Sequence, residues 1–193
     1  MKRRTLLKLL VGGLAATACA PVPQMTPTPD PRARSERAVP TATAVAPVAD
    51  VKYGDWFKLK GESARYWEVV PAPGDANQLE LRLREPRDGG GPAKQVLVMY
   101  TRASSSYDTA INRILAVLLE KRVPAVVTVK NITRDPAVGK QALAFAQARR
   151  FDLIVSMGSD TTDFLVKAFP DSPIPVVTVC SKDPVLLGYV KDY

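Results

Sequence analysis

Asp152-Leu153-Ile154-Val155-Ser156-Met157-Gly158-Ser159-Asp160-Thr161-Thr162 decides the fold. A short apolar run closes on a glycine, and hydroxyl and acidic residues then lead into a helical candidate at 163–169. This is the pattern of a strand covered on both faces, a tight turn and a helix. The alternation continues on both sides. Val96-Leu97-Val98-Met99-Tyr100, Ala125-Val126-Val127-Thr128-Val129 and Pro175-Val176-Val177-Thr178-Val179 are three more near-continuous runs of the same kind. Between them, 107–121 places Ile111, Ile114, Leu115, Leu118 and Leu119 on one stripe. A second amphipathic segment, 136–150, turns Leu143, Ala144 and Phe145 inward and ends in basic residues, where the helix dipole favours them. Strands alternating with helices predict right-handed crossovers and an α/β fold with a parallel, doubly wound sheet over 93–193.

Upstream, 51–92 changes character. Trp56-Phe57-Lys58-Leu59, Arg65-Tyr66-Trp67-Glu68-Val69-Val70 and Leu79-Glu80-Leu81-Arg82-Leu83-Arg84 alternate apolar with polar side chains, and Pro71-Ala72-Pro73-Gly74-Asp75 reads as a turn. The expectation is a small antiparallel β unit with Trp56 and Trp67 as packing anchors, closed off by the linker Gly89-Gly90-Gly91-Pro92. Residues 19–50 are rich in Pro, Thr, Ala and Val, which gives too little apolar burial to offset ordering. They read as an extended tether.

The amino terminus supplies the compartment. Lys2-Arg3-Arg4-Thr5-Leu6-Leu7-Lys8 precedes an apolar run too short to span a membrane, and small residues lead to Cys19. Residues 1–18 are therefore expected to be an export signal. Ala16-Thr17-Ala18-Cys19 resembles the lipobox of bacterial lipoproteins, which implies lipidation of Cys19 and anchorage to the outer side of the cell membrane. The paired arginines resemble a twin-arginine signal, and an ordinary soluble secretory signal cleaved near Ala18 is the alternative.

Charge and composition narrow the functions. The chain carries +8, and removal of Lys2, Arg3, Arg4 and Lys8 lowers this to an ordinary +4 with no basic run left, so no nucleic-acid partner is expected. With Cys19 lipidated, Cys180 has no partner for a disulfide and is expected to be buried. The absence of histidine removes Ser-His-Asp catalysis, Cys-His pairs and imidazole-dependent zinc sites. Neither Gly-x-Gly-x-x-Gly nor a phosphate loop follows the first parallel strand, so no cofactor is expected.

Ligands in such sheets bind beyond the carboxyl ends of the strands. Three polar loops converge there: Thr101-Arg102-Ala103-Ser104-Ser105-Ser106, Ser156-Met157-Gly158-Ser159-Asp160-Thr161-Thr162, and Cys180-Ser181-Lys182-Asp183-Pro184. The more ordinary readings are Ser106 or Asp108 as cap of the first helix, Asp160 as cap of the third, Gly158 as a tight turn, and 182–184 as a surface turn.

Taken together, 94–190, with Asp152-Leu153-Ile154-Val155-Ser156-Met157-Gly158-Ser159 and Ile174-Pro175-Val176-Val177-Thr178-Val179-Cys180-Ser181-Lys182-Asp183-Pro184, resembles the first lobe of ABC-transporter substrate-binding proteins of the tryptophan/tyrosine-binding type, a periplasmic-binding-protein-like fold of type I. The resemblance covers about half of the chain. It implies noncovalent capture of an amino acid or similar small ligand between two lobes, delivery to an ABC permease, and no catalysis. It places Ser104, Ser105 and Ser106, then Gly158, Ser159 and Thr161, then Ser181 and Asp183 on the cleft. The family continues into a hinge and second lobe where this sequence stops at Tyr193, so a truncated or split product is expected. Alternatives are a surface sensory or interaction module using a single lobe, and an exported flavodoxin-like enzyme.

Overall fold

The computed structural model describes residues 46–85, 91–183 and 185–189. The expected export signal, Cys19, the tether up to residue 45, Gly89-Gly90 of the expected linker and Pro184 lie outside them.

The sheet is organised around the two central runs seen in the sequence. Strand β5 (Lys94–Tyr100) pairs in parallel with β6 (Ala125–Asn131) on one side and β7 (Leu153–Met157) on the other, and β7 pairs in parallel with β8 (Val176–Val179). Upstream lie β1 (Val51–Tyr53), β2 (Phe57–Leu59), the short helix α1 (Gly61–Ala64), β3 (Trp67–Pro71) and β4 (Gln78–Leu83). The six-stranded order is β3-β4-β6-β5-β7-β8, and β1-β2 form a separate antiparallel pair. The fold is α/β with a mostly parallel sheet, as the alternation predicts.

Helices α2 (Ser105–Glu120), α3 (Pro136–Ala148) and α4 (Ser159–Ala168) divide between the two faces. Val96, Val98 and Tyr100 point into a core shared with Ile111 and Leu115 of α2, while Leu97 and Met99 point into one shared with Leu143 of α3 and Leu165 of α4. Alternate residues of one strand thus feed two cores, which makes the sheet doubly wound. Each fully buried Val, Leu or Met contributes roughly 1.5–3 kcal/mol.

Some expectations are revised by packing. The hairpin β3–β4 is not a unit apart from the parallel strands: β4 pairs antiparallel with β6, from Gln78↔Lys130 to Arg82↔Val126, and extends the sheet. Its alternation arises because Leu79 and Leu81 join the α2-side core. Trp67 is buried there and Trp56 packs against its edge, so both tryptophans anchor packing. In α3 the inward residues are Ala142, Leu143 and Ala146, whereas Ala144 is exposed and Phe145 half-buried. Arg149 follows that helix and lies over the Phe145 ring, 5.3 Å from its centroid, instead of occupying the last turn. Strand β8 carries the largest difference: all four of its residues are exposed. It is a sheet edge whose faces are only partly covered, with Val176, Val177 and Val179 between 37% and 50% exposed.

The β1-β2 pair is clasped to α2 by side chains. Asn112 accepts from the Lys60 amide at 2.9 Å and donates to the Lys58 carbonyl at 3.0 Å, and Asp108, one turn earlier, accepts from the Lys58 amide at 3.2 Å. A buried asparagine on an otherwise apolar stripe is thereby satisfied. The tether expected to run to Asp50 is fixed from Ala46 on. Arg65 donates to the Ala46 carbonyl at 2.7 Å, and Asp50 takes the Gly61 amide at 2.8 Å and the Lys58 ammonium at 2.6 Å.

Candidate functional site

In the order β6-β5-β7-β8 the connections leave in opposite directions between β5 and β7, and the carboxyl ends of those strands form the topological switch point. A cleft of about 540 Å³ opens at this edge. Every parallel strand contributes: Thr101 follows β5, Ile132 and Arg134 follow β6, Ser159 and Asp160 follow β7, and Lys182 follows β8. Asp163 and Phe164 of α4, with Leu187 and Tyr189 of the last described turn, complete the walls together with Pro136.

Of the residues expected on the cleft, Ser159 reaches it. Ser104 and Ser105 line a smaller cleft, about 360 Å³, with Lys52, Trp56, Lys58 and Asp108 on the β1-β2 side, and Ser106 lines neither. The separation has a physical cause. Tyr107 leaves the first turn of α2 and sets its ring against Gly158, 5.7 Å from the ring of Tyr100, so it fills the switch point between the two groups of serines. Gly158 therefore accommodates protein, and its φ of 85° and ψ of 161° lie in a region that glycine alone adopts readily.

Thr161 is fully buried, and its Oγ1 has no hydrogen-bond partner among the described residues. Thr162 beside it shares a hydrogen bond with Ser156 at 2.9 Å and donates to the Gly158 carbonyl at 3.0 Å, fixing the start of α4. Ser181 is exposed outside the cleft lining. Asp183 turns inward on its own loop, accepting from the Val185 amide at 2.8 Å and the Leu186 amide at 3.3 Å. Cys180 is half-buried and donates to the Lys182 carbonyl at 3.3 Å. The caps differ as well. Ser104 stands at the N-cap of α2 without a side-chain bond, and Gly158 stands at that of α4, with Asp160 in the first turn.

The residue most distinctive of the cleft has no sequence signature. Thr133 and Arg134 both adopt positive φ, 49° and 60°, where a side chain costs about 1–2 kcal/mol per residue. The loop is held in place by its neighbours: the Thr133 amide donates to Asn131 Oδ1 at 3.0 Å, the Asp135 amide to the Ile132 carbonyl at 2.7 Å, and Asp135 caps α3 through the Ala137 amide at 2.8 Å. This frame carries Arg134 to the mouth of the cleft. Consecutive strained residues of this kind concentrate at functional sites.

Charges of both signs meet here. Arg134 and Lys182 supply cations, and Asp160 and Asp163 supply carboxylates. Asp163 is committed in part: its bond to Lys167 at 2.7 Å holds its carboxyl below the ordinary range, and it also accepts from Tyr189 at 3.4 Å. Burial, helped by the Asp163 charge, pushes the Tyr189 phenol up, so it stays a neutral donor at physiological pH. Asp160 has no such ion pair among the described residues. The arrangement suits a small polar ligand bearing both charges, with Phe164 and Leu187 for its apolar part.

Comparison with protein-family models, with curated proteins and with solved structures finds no match. No helix among the described residues is long and apolar enough to cross a membrane.

Proposed function

We propose that this chain is the extracytoplasmic solute-binding component, or the amino-terminal part of one, of an ABC importer. In this reading it is held at the outer side of the cell membrane by a lipid on Cys19 and captures a small zwitterion such as an amino acid without covalent chemistry. The observation that carries the reading is the switch-point cleft, where Arg134 stands among Thr101, Ser159 and Asp160. Arg134 would take the ligand carboxylate in a two-pronged hydrogen bond, and Asp160 would take its ammonium. The hydroxyls of Thr101 and Ser159 would fix its orientation. The resemblance to tryptophan/tyrosine-binding receptors supports the receptor reading and shares Ser159 with this cleft, and in that family a facing lobe closes over the ligand before delivery to the permease.

Amide chemical-shift mapping with a panel of amino acids tests it. The expected result is a saturable shift of Thr101, Arg134 and Ser159 that is lost with N-acetylated and with carboxamide derivatives, each of which lacks one charge. Shifts confined to Ser104 and Ser105, or none in the millimolar range, would refute it.

A second reading, a surface interaction module, is favoured by one observation, the edge strand β8, all four residues of which are exposed.

A further inference from the structure

Among the described residues, strand β8 ends the sheet with its outer side unpaired. The Ile154 amide donates to the Pro175 carbonyl and the Gly158 amide to the Val179 carbonyl, and the register sets Val155 against Val177. Parallel ladders use alternate residues. Residues 175, 177 and 179 are thus turned toward β7, and the backbone groups of Val176, Thr178 and Cys180 are turned outward. Val177 is 50% exposed and Val179 40% exposed on the α2-side face, with Val176 37% exposed on the other. An unpaired edge with apolar side chains on both faces is a template for another strand.

We propose that the occupant is β8 of a second copy, paired antiparallel about a twofold axis through Thr178. The phase of the ladder decides the register. Outward-facing residues must oppose one another to exchange both hydrogen bonds, which sets Thr178 against Thr178 and Val176 against Cys180. The same register brings Val177 of each copy against Val179 of the other, so four exposed valines form one cluster on the α2-side face. No charged side chain lies between Ser172 and Ser181 to oppose this. Asp171 precedes the strand, and Lys182 and Asp183 follow it, all three exposed, with the Asp183 carboxylate accepting from the Val185 and Leu186 amides of its own loop. Antiparallel pairing therefore sets Asp171 of one copy on the side of Lys182 of the other, whereas parallel pairing would set Lys182 beside Lys182. The two Lys182 residues fall about 25 Å apart at 3.3 Å per residue. The interface is an isologous, transient one, and it stands independently of the ligand assigned to the cleft.

Sedimentation equilibrium on the full chain carrying Cys19→Ser and Cys180→Ser tests the pairing. The expected result is a reversible monomer–dimer equilibrium whose dissociation constant rises at least tenfold in Thr178→Pro. The amide removed by that change faces away from β7, so the fold keeps its own ladder. Val177→Lys with Val179→Lys gives the same loss through charge repulsion and covers the case in which the proline variant misfolds. In the same background, Thr178→Cys is expected to be joined to its symmetry mate by a short bifunctional thiol reagent. A monomer up to about millimolar concentration would overturn the proposal, as would a dimer indifferent to these substitutions or unlinked at position 178.

Discussion

Tyr107 and Gly158 occupy each other's space: a Cβ on Gly158 would overlap the Tyr107 hydroxyl and lie 2.9 Å from its ring Cζ. One side chain from the first turn of α2 thereby closes the gap between β5 and β7 and decides which loops can share a cleft. The ring belongs to a chain of aromatic contacts running from Tyr107 through Tyr100 and Trp56 to Tyr53. That chain ties the switch point to the β1-β2 pair.

Gly158→Ala is expected to destabilise the protein by about 2–4 kcal/mol, combining a backbone region that is nearly glycine-only with overpacking against a rigid ring. Tyr107→Phe in the same chain is expected to restore part of that loss, because it removes the overlapping hydroxyl and leaves the backbone strain. Urea unfolding of the two single variants and the double variant gives the coupling. Strict additivity would show that the ring and the glycine do not share this space.

The hairpin β3–β4 is fastened to the sheet by an ion pair between Asp75, in its turn, and Lys130, whose side chain is 6% exposed on β6. Asp75 itself is 36% exposed, so Asp75→Ala, which leaves the ammonium without its counter-charge, is expected to cost about 1–2 kcal/mol, below the range for a pair buried on both sides. Lys130→Met with Asp75→Ala removes both charges and is expected to recover most of the loss. Chemical denaturation followed by the fluorescence of Trp56 and Trp67 measures both.

The fold was legible where burial is symmetric and hidden where it depends on distant neighbours. Val96 to Tyr100 is apolar at every position because α2 covers one face and α3 with α4 the other, so the run announces a central strand. Val176 to Val179 has the same composition and lies on an open edge, since residue type records what a strand tolerates and not what covers it. At the site, Ser159 and the loop around it were readable from the glycine turn into α4. Arg134 was not, because its place at the cleft comes from a positive φ held by Asn131 and Asp135, and no local pattern encodes that for an arginine. Ser104 to Ser106 follow the right strand, and only the bulk of Tyr107 shows that Ser104 and Ser105 face the β1-β2 side while Ser106 lines neither cleft.

Asp108 gives a pH dependence of definite sign. Burial raises its pKa above 3.8, against the lowering effect of the Lys58 amide bond and the charges of Lys58 and Lys60. The folded state then holds this proton more tightly than the unfolded chain does. Its contribution to stability is greatest at low pH and is lost as pH rises from 3.8 through the folded-state value. Asp108→Asn keeps an acceptor for the Lys58 amide without the buried charge. It is expected to be more stable than the parent at pH 7, with the difference shrinking as pH approaches 3.8. Thermal unfolding of both proteins from pH 3 to 8 isolates this group, since the other carboxylates cancel in the comparison. A difference that grows on acidification would reverse the assignment.

Arg134 separates binding from folding. Its backbone sits at φ 60°, so glycine at this position relieves a local cost of about 1–2 kcal/mol and gives back about 1 kcal/mol in unfolded-chain entropy. Arg134→Gly is therefore expected to fold with stability unchanged or raised by up to about 1 kcal/mol. The guanidinium proposed to hold a ligand carboxylate is lost, and with it at least a tenfold part of any zwitterion affinity. Arg134→Lys keeps the charge, retains the backbone strain and lacks the planar two-pronged geometry, so its affinity is expected to fall between the two. Calorimetric unfolding paired with amide chemical-shift titration reads both quantities on each variant. A glycine variant that unfolds early would show that the side chain supports the loop and that the strain serves the fold. A variant that folds normally and binds as well as the parent would remove Arg134 from the site and leave the hydroxyls of Thr101 and Ser159 as its anchors.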